Sequence, residues 1–479
     1  MDEAHASEDA SEESAPERQM PSDAVVRVDQ NGEDITRAFD EMPEMTFPED
    51  YTVYAVEMPT ILARQYAEHG PIFRRRLGGE MAAAFGPWMV YMVGPDANRF
   101  VMHTHRAHFS HDLGWTPVIG DVFARGLLNT DDPEHARQRK MMNPAFAIAY
   151  MGRYLPIMNR VIAERTRDWA DRAEVDLYEE TRKITFDVAA EALAGFRTGA
   201  EVDQLRQLFY TLVHANYDPA QSEADFVARM FGVRDQLNTM LLRMIAERRR
   251  APTDDILGIL AQARDEDGQL FTDDQLLGQL HILLVAGHET STTMAAWLLQ
   301  LLATHPAYLA RVHAELEDVL AATDGVITLD AVKRMRLLGF AADETGRLRS
   351  PVGNVPRGVV REFQFGGYRV PAGTRVLVSL AACHRLPHLF ADPDAFDPDR
   401  FAPPREEDKH HPYALVPFGA GPRICIGINF AQVEIKALAA HVLRAYALEP
   451  IPDRPTIHAY FSPVANLVYG MPVRVRRRD

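Results

Sequence analysis

Apolar positions are densest between residues 276 and 302, where Leu280, Ile282, Leu283, Leu284, Val285 and Ala286 leave almost no polar face. A helix of this kind must be buried on nearly every side. Thr272 followed by Gln275 supplies a capping box at its start, and His305-Pro306 ends it. Roughly 32 residues then give a rod of about 48 Å, longer than a domain radius. In its middle stands Ala286-Gly287-His288-Glu289-Thr290-Ser291. Glycine there costs about 1 kcal/mol relative to alanine, and a buried acid costs more unless partnered. A buried helix that keeps both is expected to use them.

Helical periodicity dominates from about 130 to 350, including Tyr178–Phe196 and the amphipathic run Asp225–Arg250, and a further helix is predicted over 428–446. Short strands are predicted at 71–78 and 88–94. Phe363-Gln364-Phe365 and Tyr368-Arg369-Val370 flank Gly366-Gly367, a hairpin signal, and Arg375–Ser379 follows the turn Pro371-Ala372-Gly373. Residues 1–40 hold few large apolar side chains and much Asp, Glu, Ser and Pro, so a disordered acidic tail is expected there. No repeat or Gly/Ser linker divides the remainder. Residues 41–479 are therefore expected to form one domain, mainly α with a small β part (α+β).

Composition narrows the function. Lys+Arg 51 against Asp+Glu 68 gives a net charge of −17, which repels phosphate backbones and argues against a nucleic-acid partner. Two cysteines in 479 residues exclude a disulfide scaffold and point to a reducing, cytoplasmic setting. The acidic N-terminus lacks the basic-then-apolar order of a secretory signal, and no run reaches the roughly 18 apolar residues of a span. No membrane anchor is expected, and the chain is read as a monomer.

The second chemical signal is the stretch from Pro417 to Gly427: Phe418-Gly419-Ala420-Gly421-Pro422-Arg423-Ile424-Cys425-Ile426-Gly427. Its glycines and proline force an irregular loop, and the helix that begins near Gly427 points its N-terminal N–H groups at Cys425. Those groups should stabilise a thiolate, lower its pKa and suit it to bind a soft metal. A buried cysteine in a glycine-rich turn is the plainer alternative.

This pattern, F-G-x-G-x-R-x-C-x-G, resembles the haem-binding loop of the cytochrome P-450 family, and other family features follow in family order. Glu344-Thr345-Gly346-Arg347 resembles the E-x-x-R helix, with Gly346 where a larger apolar residue is usual. Pro398-Asp399-Arg400-Phe401 resembles the segment whose arginine completes a Glu344, Arg347, Arg400 cluster. Ala286–Ser291 resembles the oxygen-activation motif, and His135 to Arg139 the early H-x-x-x-R helix. The resemblance spans about residues 50–479 and implies a haem-thiolate monooxygenase with haem b as cofactor. It implies that Cys425 is the iron ligand and that His135, Arg139, Arg357 and Arg423 hold the haem propionates. Phe418, Ala286, Gly287 and Gly427 would border the cofactor, with Gly287 letting the helix open locally where dioxygen must fit. Glu289 and Thr290 would relay protons, while the Glu–Arg–Arg cluster serves folding. His288 reads as a helix neighbour and Cys383 as an inert core residue.

By the same resemblance, the substrate pocket draws on Phe109, Trp115, Val118, Phe209, Tyr210, Tyr217, Val285, Val352, Val355 and Phe461. The lining suits a hydrophobic molecule, fatty-acid-, terpene- or steroid-like. Gly114-Trp115 and the stretch from Gly126 resemble fatty-acid-hydroxylase-like branches more than sterol demethylases. No flavin or nicotinamide fingerprint is present, so electrons are expected from a ferredoxin or flavodoxin with its reductase. Arg137, Arg139, Lys140 and Arg423 would form a basic docking patch for it. Rival readings are a peroxide-driven hydroxylase or non-oxygenating relative, and a haem-binding sensor without turnover. The first two often lack the acid–alcohol pair, and the sensor has no use for it.

Overall fold

The architecture is organised by one helix, Asp273–Thr304, which crosses the molecule with most of its side chains buried. A computed structural model describes residues 36–119, 123–197, 199–213, 222–460 and 464–478, so residues 1–35 of the predicted tail lie outside the described residues. Residues 36–40 of that stretch are described. Arg37 bridges to Tyr368, and Arg74 donates to the carbonyls of Phe39 and Asp40, tying these residues to the β region.

In chain order the elements used below are α1 (Tyr51–His69), β1 (Ile72–Arg76), β2 (Trp88–Val93), β3 (Phe109–Ser110), α2 (Glu134–Phe146), α3 (Ile148–Thr166), α4 (Leu177–Ala194) and α5 (Ala200–Val213). They continue with α6 (Glu223–Arg250), α7 (Asp273–Thr304), α8 (Arg336–Leu348), β4 (Asn354–Val359), β5 (Arg375–Ser379) and α9 (Ile428–Ala445). The capping box of α7 forms: Thr272 Oγ1 accepts from Gln275 N at 3.1 Å, and Gln275 Oε1 from Thr272 N at 2.9 Å. The helix runs unbroken through Gly287, so the expected local opening is not seen. α4 packs along α7, and α3 along α9, around a core that includes Trp169, Phe186 and Phe209.

Five strands form one sheet in the order β1-β2-β5-β4-β3, antiparallel except where β2 and β5 run parallel. The predicted hairpin forms between Phe363–Phe365 and Tyr368–Val370, with Gly366 and Gly367 at φ of 58° and 88° in the left-handed region. Among the described residues no helix is long and apolar enough to cross a membrane.

The stretch of described residues 114–119 and 123–126 is fastened at two points where backbones touch. A Cβ on Gly278 of α7 would stand 1.9 Å from the Arg125 carbonyl oxygen, and one on Gly126 would stand 2.6 Å from the Gly278 oxygen. Near its other end, a Cβ on Gly114 would stand 2.5 Å from the Pro356 oxygen in β4. Gln279 Oε1 accepts from Leu127 N at 3.0 Å, so side-chain bonds reinforce the first seam.

Candidate active site

Between α7 and the glycine-rich loop lies a cavity of about 830 Å³. The loop sets its floor. Cys425 N donates to the Phe418 carbonyl at 2.9 Å, folding the loop back so that Phe418, Cys425 and Gly427 all face the cavity. Cys425 sits deep in the protein yet remains accessible, because its open side faces this space. Burial pushes its thiol up, against the pull of the Gly427 amide and of Arg139. The expected low pKa is therefore corrected: at the end of this loop desolvation outweighs the helix N-terminus. A cation bound at the sulfur is what would favour the thiolate.

The roof is α7. Ala286 is exposed and Thr290 half-buried, and both line the cavity with Gly287, where an added Cβ would meet nothing within 4 Å. Thr290 Oγ1 donates to the Ala286 carbonyl at 2.7 Å, leaving the hydroxyl's lone pairs to accept from the cavity side. Glu289 also borders the cavity, and its carboxylate lies 3.0 Å from His288 Nε2 and 3.6 Å from Arg182 Nε.

At one end of the cavity four predicted residues converge: His135 and Arg139 from α2, Arg357 from β4 and Arg423 from the loop. Arg357 is 5% exposed, and its Nε has no partner. Burial, then Arg423, pull its guanidinium down to about 9. Arg423 donates to the Thr130 carbonyl at 2.7 Å, and burial lowers it to about 10. His135, 3.2 Å from Asp132, is held near 4 by burial and then Arg423. His111, missed by the sequence reading, completes the group and is held well below its usual value by burial, Arg357, Arg423 and His135. No motif contains His111; only its place in the loop over the pocket hinted at it. These groups repel one another and together lack enough acid to balance them. A flat macrocycle carrying two carboxylates, which haem is, fits this wall and the thiol beneath it.

Of the predicted pocket residues, Trp115, Val118, Val285, Val352 and Val355 line the cavity. Phe109 instead packs in the strand cluster, Phe209 is core, and Tyr210 stacks against His288; Tyr217 and Phe461 lie outside the described residues. The basic docking patch is not there. Arg137 pairs with Glu134 and with Asp265 at 2.9 Å, Lys140 pairs with Glu266, and Arg139 and Arg423 turn inward. The acidic turn at 265–267 folds against α2 and neutralises it, a contact no local pattern encodes.

Behind the loop, Glu344 accepts from Arg347 Nε at 2.7 Å, Arg347 Nη2 at 2.9 Å, Arg400 Nε at 3.0 Å and Asp397 N at 2.9 Å. Glu407, outside the predicted cluster, pairs with Arg400 at 2.6 Å and with the more exposed Arg405 at 2.6 Å. Gly346 stays helical, and a Cβ there would make ordinary contact with Met294 and Pro417 at 3.4 Å. Cys383 is sealed, its thiol pushed up to about 12 by burial.

Glu434 on α9 is fully buried, and neither carboxyl oxygen has a hydrogen bond of normal geometry. Burial raises its carboxyl from 4.5 to about 8, with Ser291 of α7 easing it only in part. The folded state thus binds this proton more tightly than the unfolded chain. Stability should fall as pH climbs from about 4.5 through 8. Glu434→Gln should remove that slope and stabilise the protein by about 4 kcal/mol at pH 8 while leaving it unchanged near pH 4. Urea midpoints across that range check it.

The cytochrome P450 family model matches residues 55–467. A "putative cytochrome P450 136" of Mycobacterium tuberculosis is 32% identical, over 88% of this chain and 85% of its own length. A sterol 14alpha-demethylase of Mycolicibacterium vanbaalenii is 29% identical, over 81% and 88% of the two chains. The solved structure of retinoic acid bound cyanobacterial CYP120A1 superposes with a TM-score of 0.78 at 27% identity, covering 91% of this chain and 99% of the other.

Proposed function

The chain belongs to the cytochrome P450 family and is a haem-thiolate monooxygenase, and on that premise we propose which residues carry the reaction and what it acts on. The observation that carries the assignment is the cavity itself, with an accessible thiol on its floor, Glu289 and Thr290 in its roof, and buried cations at one end. Cys425 is the iron ligand. Arg139, Arg357, Arg423 and His135 hold the two propionates, and Phe418, Gly427, Ala286 and Gly287 shape the faces that border the macrocycle. When bound, the haem supplies the iron at which dioxygen is reduced and its bond split.

The chain's own part in chemistry is to exclude water, orient the substrate and move protons. Glu289 and Thr290 form the relay: the carboxyl holds the proton, and the Thr290 hydroxyl, anchored on the Ala286 carbonyl, accepts on the cavity side. A peroxide-driven enzyme or a haem sensor has no need of this pair. Thr290→Ala should keep the absorbance band of the reduced, carbon-monoxide-bound protein. Product per NADH should drop about tenfold, the lost electrons appearing as hydrogen peroxide. Unchanged coupling would remove the relay.

The substrate is a hydrophobic small molecule, and we favour terpene- or steroid-like compounds over fatty acids. The lining by Trp115, Val118, Phe123, Ile282, Val285 and Val352 supports the hydrophobic class. The relatives that are sterol demethylases, and the similar structure with retinoic acid, support the narrower one. A screen of haem spin-state change against steroids, terpenoids and fatty acids tests it; response to fatty acids alone would overturn it. Electrons come from a separate ferredoxin or flavodoxin with its reductase, which meets a largely neutralised face around α2 rather than a basic patch.

A further inference from the structure

His288 is fully sealed, and both ring nitrogens have defined neighbours. Nδ1 lies 2.6 Å from the Leu284 carbonyl oxygen, and Nε2 lies 3.0 Å from Glu289 Oε1. Phe186 and Phe209 present their rings edge-on at 5.2 and 5.1 Å, and Tyr210 stacks at 5.8 Å, so the imidazole cannot swing away. A carbonyl oxygen only accepts, so Nδ1 must carry hydrogen. Nε2 then faces a carboxyl oxygen, and two acceptors do not sit 3.0 Å apart without a proton between them. Whether written as imidazolium and carboxylate or as imidazole and carboxylic acid, the pair contains one proton.

We propose that His288 and Glu289 hold this single proton in common, shut off from water beside Thr290, and that His288 is a positioning residue that loads Glu289 for each delivery. The inference rests on the reading of Glu289 and Thr290 as the relay. Arg182 of α4, 3.6 Å from Glu289 Oε1, places a cation beside the oxygen that shares the proton. Tyr178 and Glu179 on α4 and Tyr210 and Arg206 on α5 complete the titratable groups around the pair. In turnover the proton on Nε2 passes to Oε1, and Glu289 releases it at the cavity edge beside Thr290, whose hydroxyl accepts from that side. The neutral imidazole left behind takes one proton from bulk water, so protons balance and no electrons move within the pair. The aromatic cage makes this return slow enough to be measured.

His288→Gln separates holding from loading, because an amide donates to Glu289 but cannot give up its hydrogen. Oxygen consumption is followed with a surrogate plant-type ferredoxin, its reductase and NADPH, from pH 6 to 9 in H2O and D2O, without an organic substrate. The variant should keep the carbon-monoxide band, consume oxygen about tenfold more slowly and show a larger solvent isotope effect. Infrared spectra give a reading independent of turnover. The carboxyl band identified by its loss in Glu289→Gln should shift its titration midpoint by about one pH unit in His288→Gln. His288→Phe fills the cage and should act in the same direction, standing in if the amide disturbs folding. A folded His288 variant with wild-type rate, isotope effect and midpoint, while Glu289→Gln is slow, overturns the proposal and leaves the relay standing. A Glu289→Gln protein with wild-type rate overturns both.

Discussion

Glu344→Gln should cost the folded protein about 3–5 kcal/mol, a large part of the 5–15 kcal/mol by which a typical domain is stable. Glu344 takes four hydrogen bonds, three of them from the guanidinium groups of Arg347 and Arg400, and all three residues are at most 1% exposed. Glutamine accepts less well and turns an amide N–H toward a donor, leaving two buried cations against Glu407 alone. Arg347 also donates to the carbonyls of His384, Pro393 and Ala395, so the loss should loosen the segment that backs the cysteine loop. A control lies one residue from Arg400. Asp399 makes a two-pronged pair with Arg311 at 2.7 and 2.9 Å, but both side chains are over 40% exposed. Asp399→Asn should therefore cost less than about 1 kcal/mol. Denaturant midpoints and the haem retained through purification measure both; equal losses would show that burial is not what matters here.

Cys425→Ser should abolish the thiolate absorbance band of the reduced, carbon-monoxide-bound protein and lower activity by about two orders of magnitude or more. A hydroxyl of the same size keeps the loop's backbone bond to Phe418 but offers iron a hard, poorly ionised oxygen. Cys383→Ser should leave the band in place. Its sulfur sits 3.5 Å from the Ala414 carbonyl, walled off from the cavity. A band surviving in Cys425→Ser and lost in Cys383→Ser would invert the site.

The features legible in the sequence are those written in neighbouring residues. Thr272 and Gln275 are three apart, so the start of α7 could be read; Gly366-Gly367 carries its own turn geometry; Cys425 announces itself by the glycines around it. What stayed hidden depends on distant chain meeting in space. His111 belongs to no motif, and Glu407 reaches Arg400 only after the loop between them folds. The basic run at 137–140 looked available because nothing local shows Asp265 and Glu266 arriving 125 residues or more later. His288 seemed a bystander because its tautomer is set by a carbonyl and a carboxylate whose positions exist only in the folded helix. The thiol's raised pKa follows from depth, which spacing does not report.

The paired glycine seams bear on how this pocket could be reshaped in the laboratory. The described residues 114–119 and 123–126 work like a strap buttoned at each end, to β4 at Gly114 and to α7 at Gly126. Mutagenesis that spreads over the buttons, Gly114, Gly126 and Gly278, replaces hydrogen with carbon where there is no space and sacrifices the strap itself. Trp115, Val118 and Phe123 hang between the fastenings and point into the chamber. A library confined to them exchanges one apolar contour for another while the fastenings hold, so new selectivities should be sought there first.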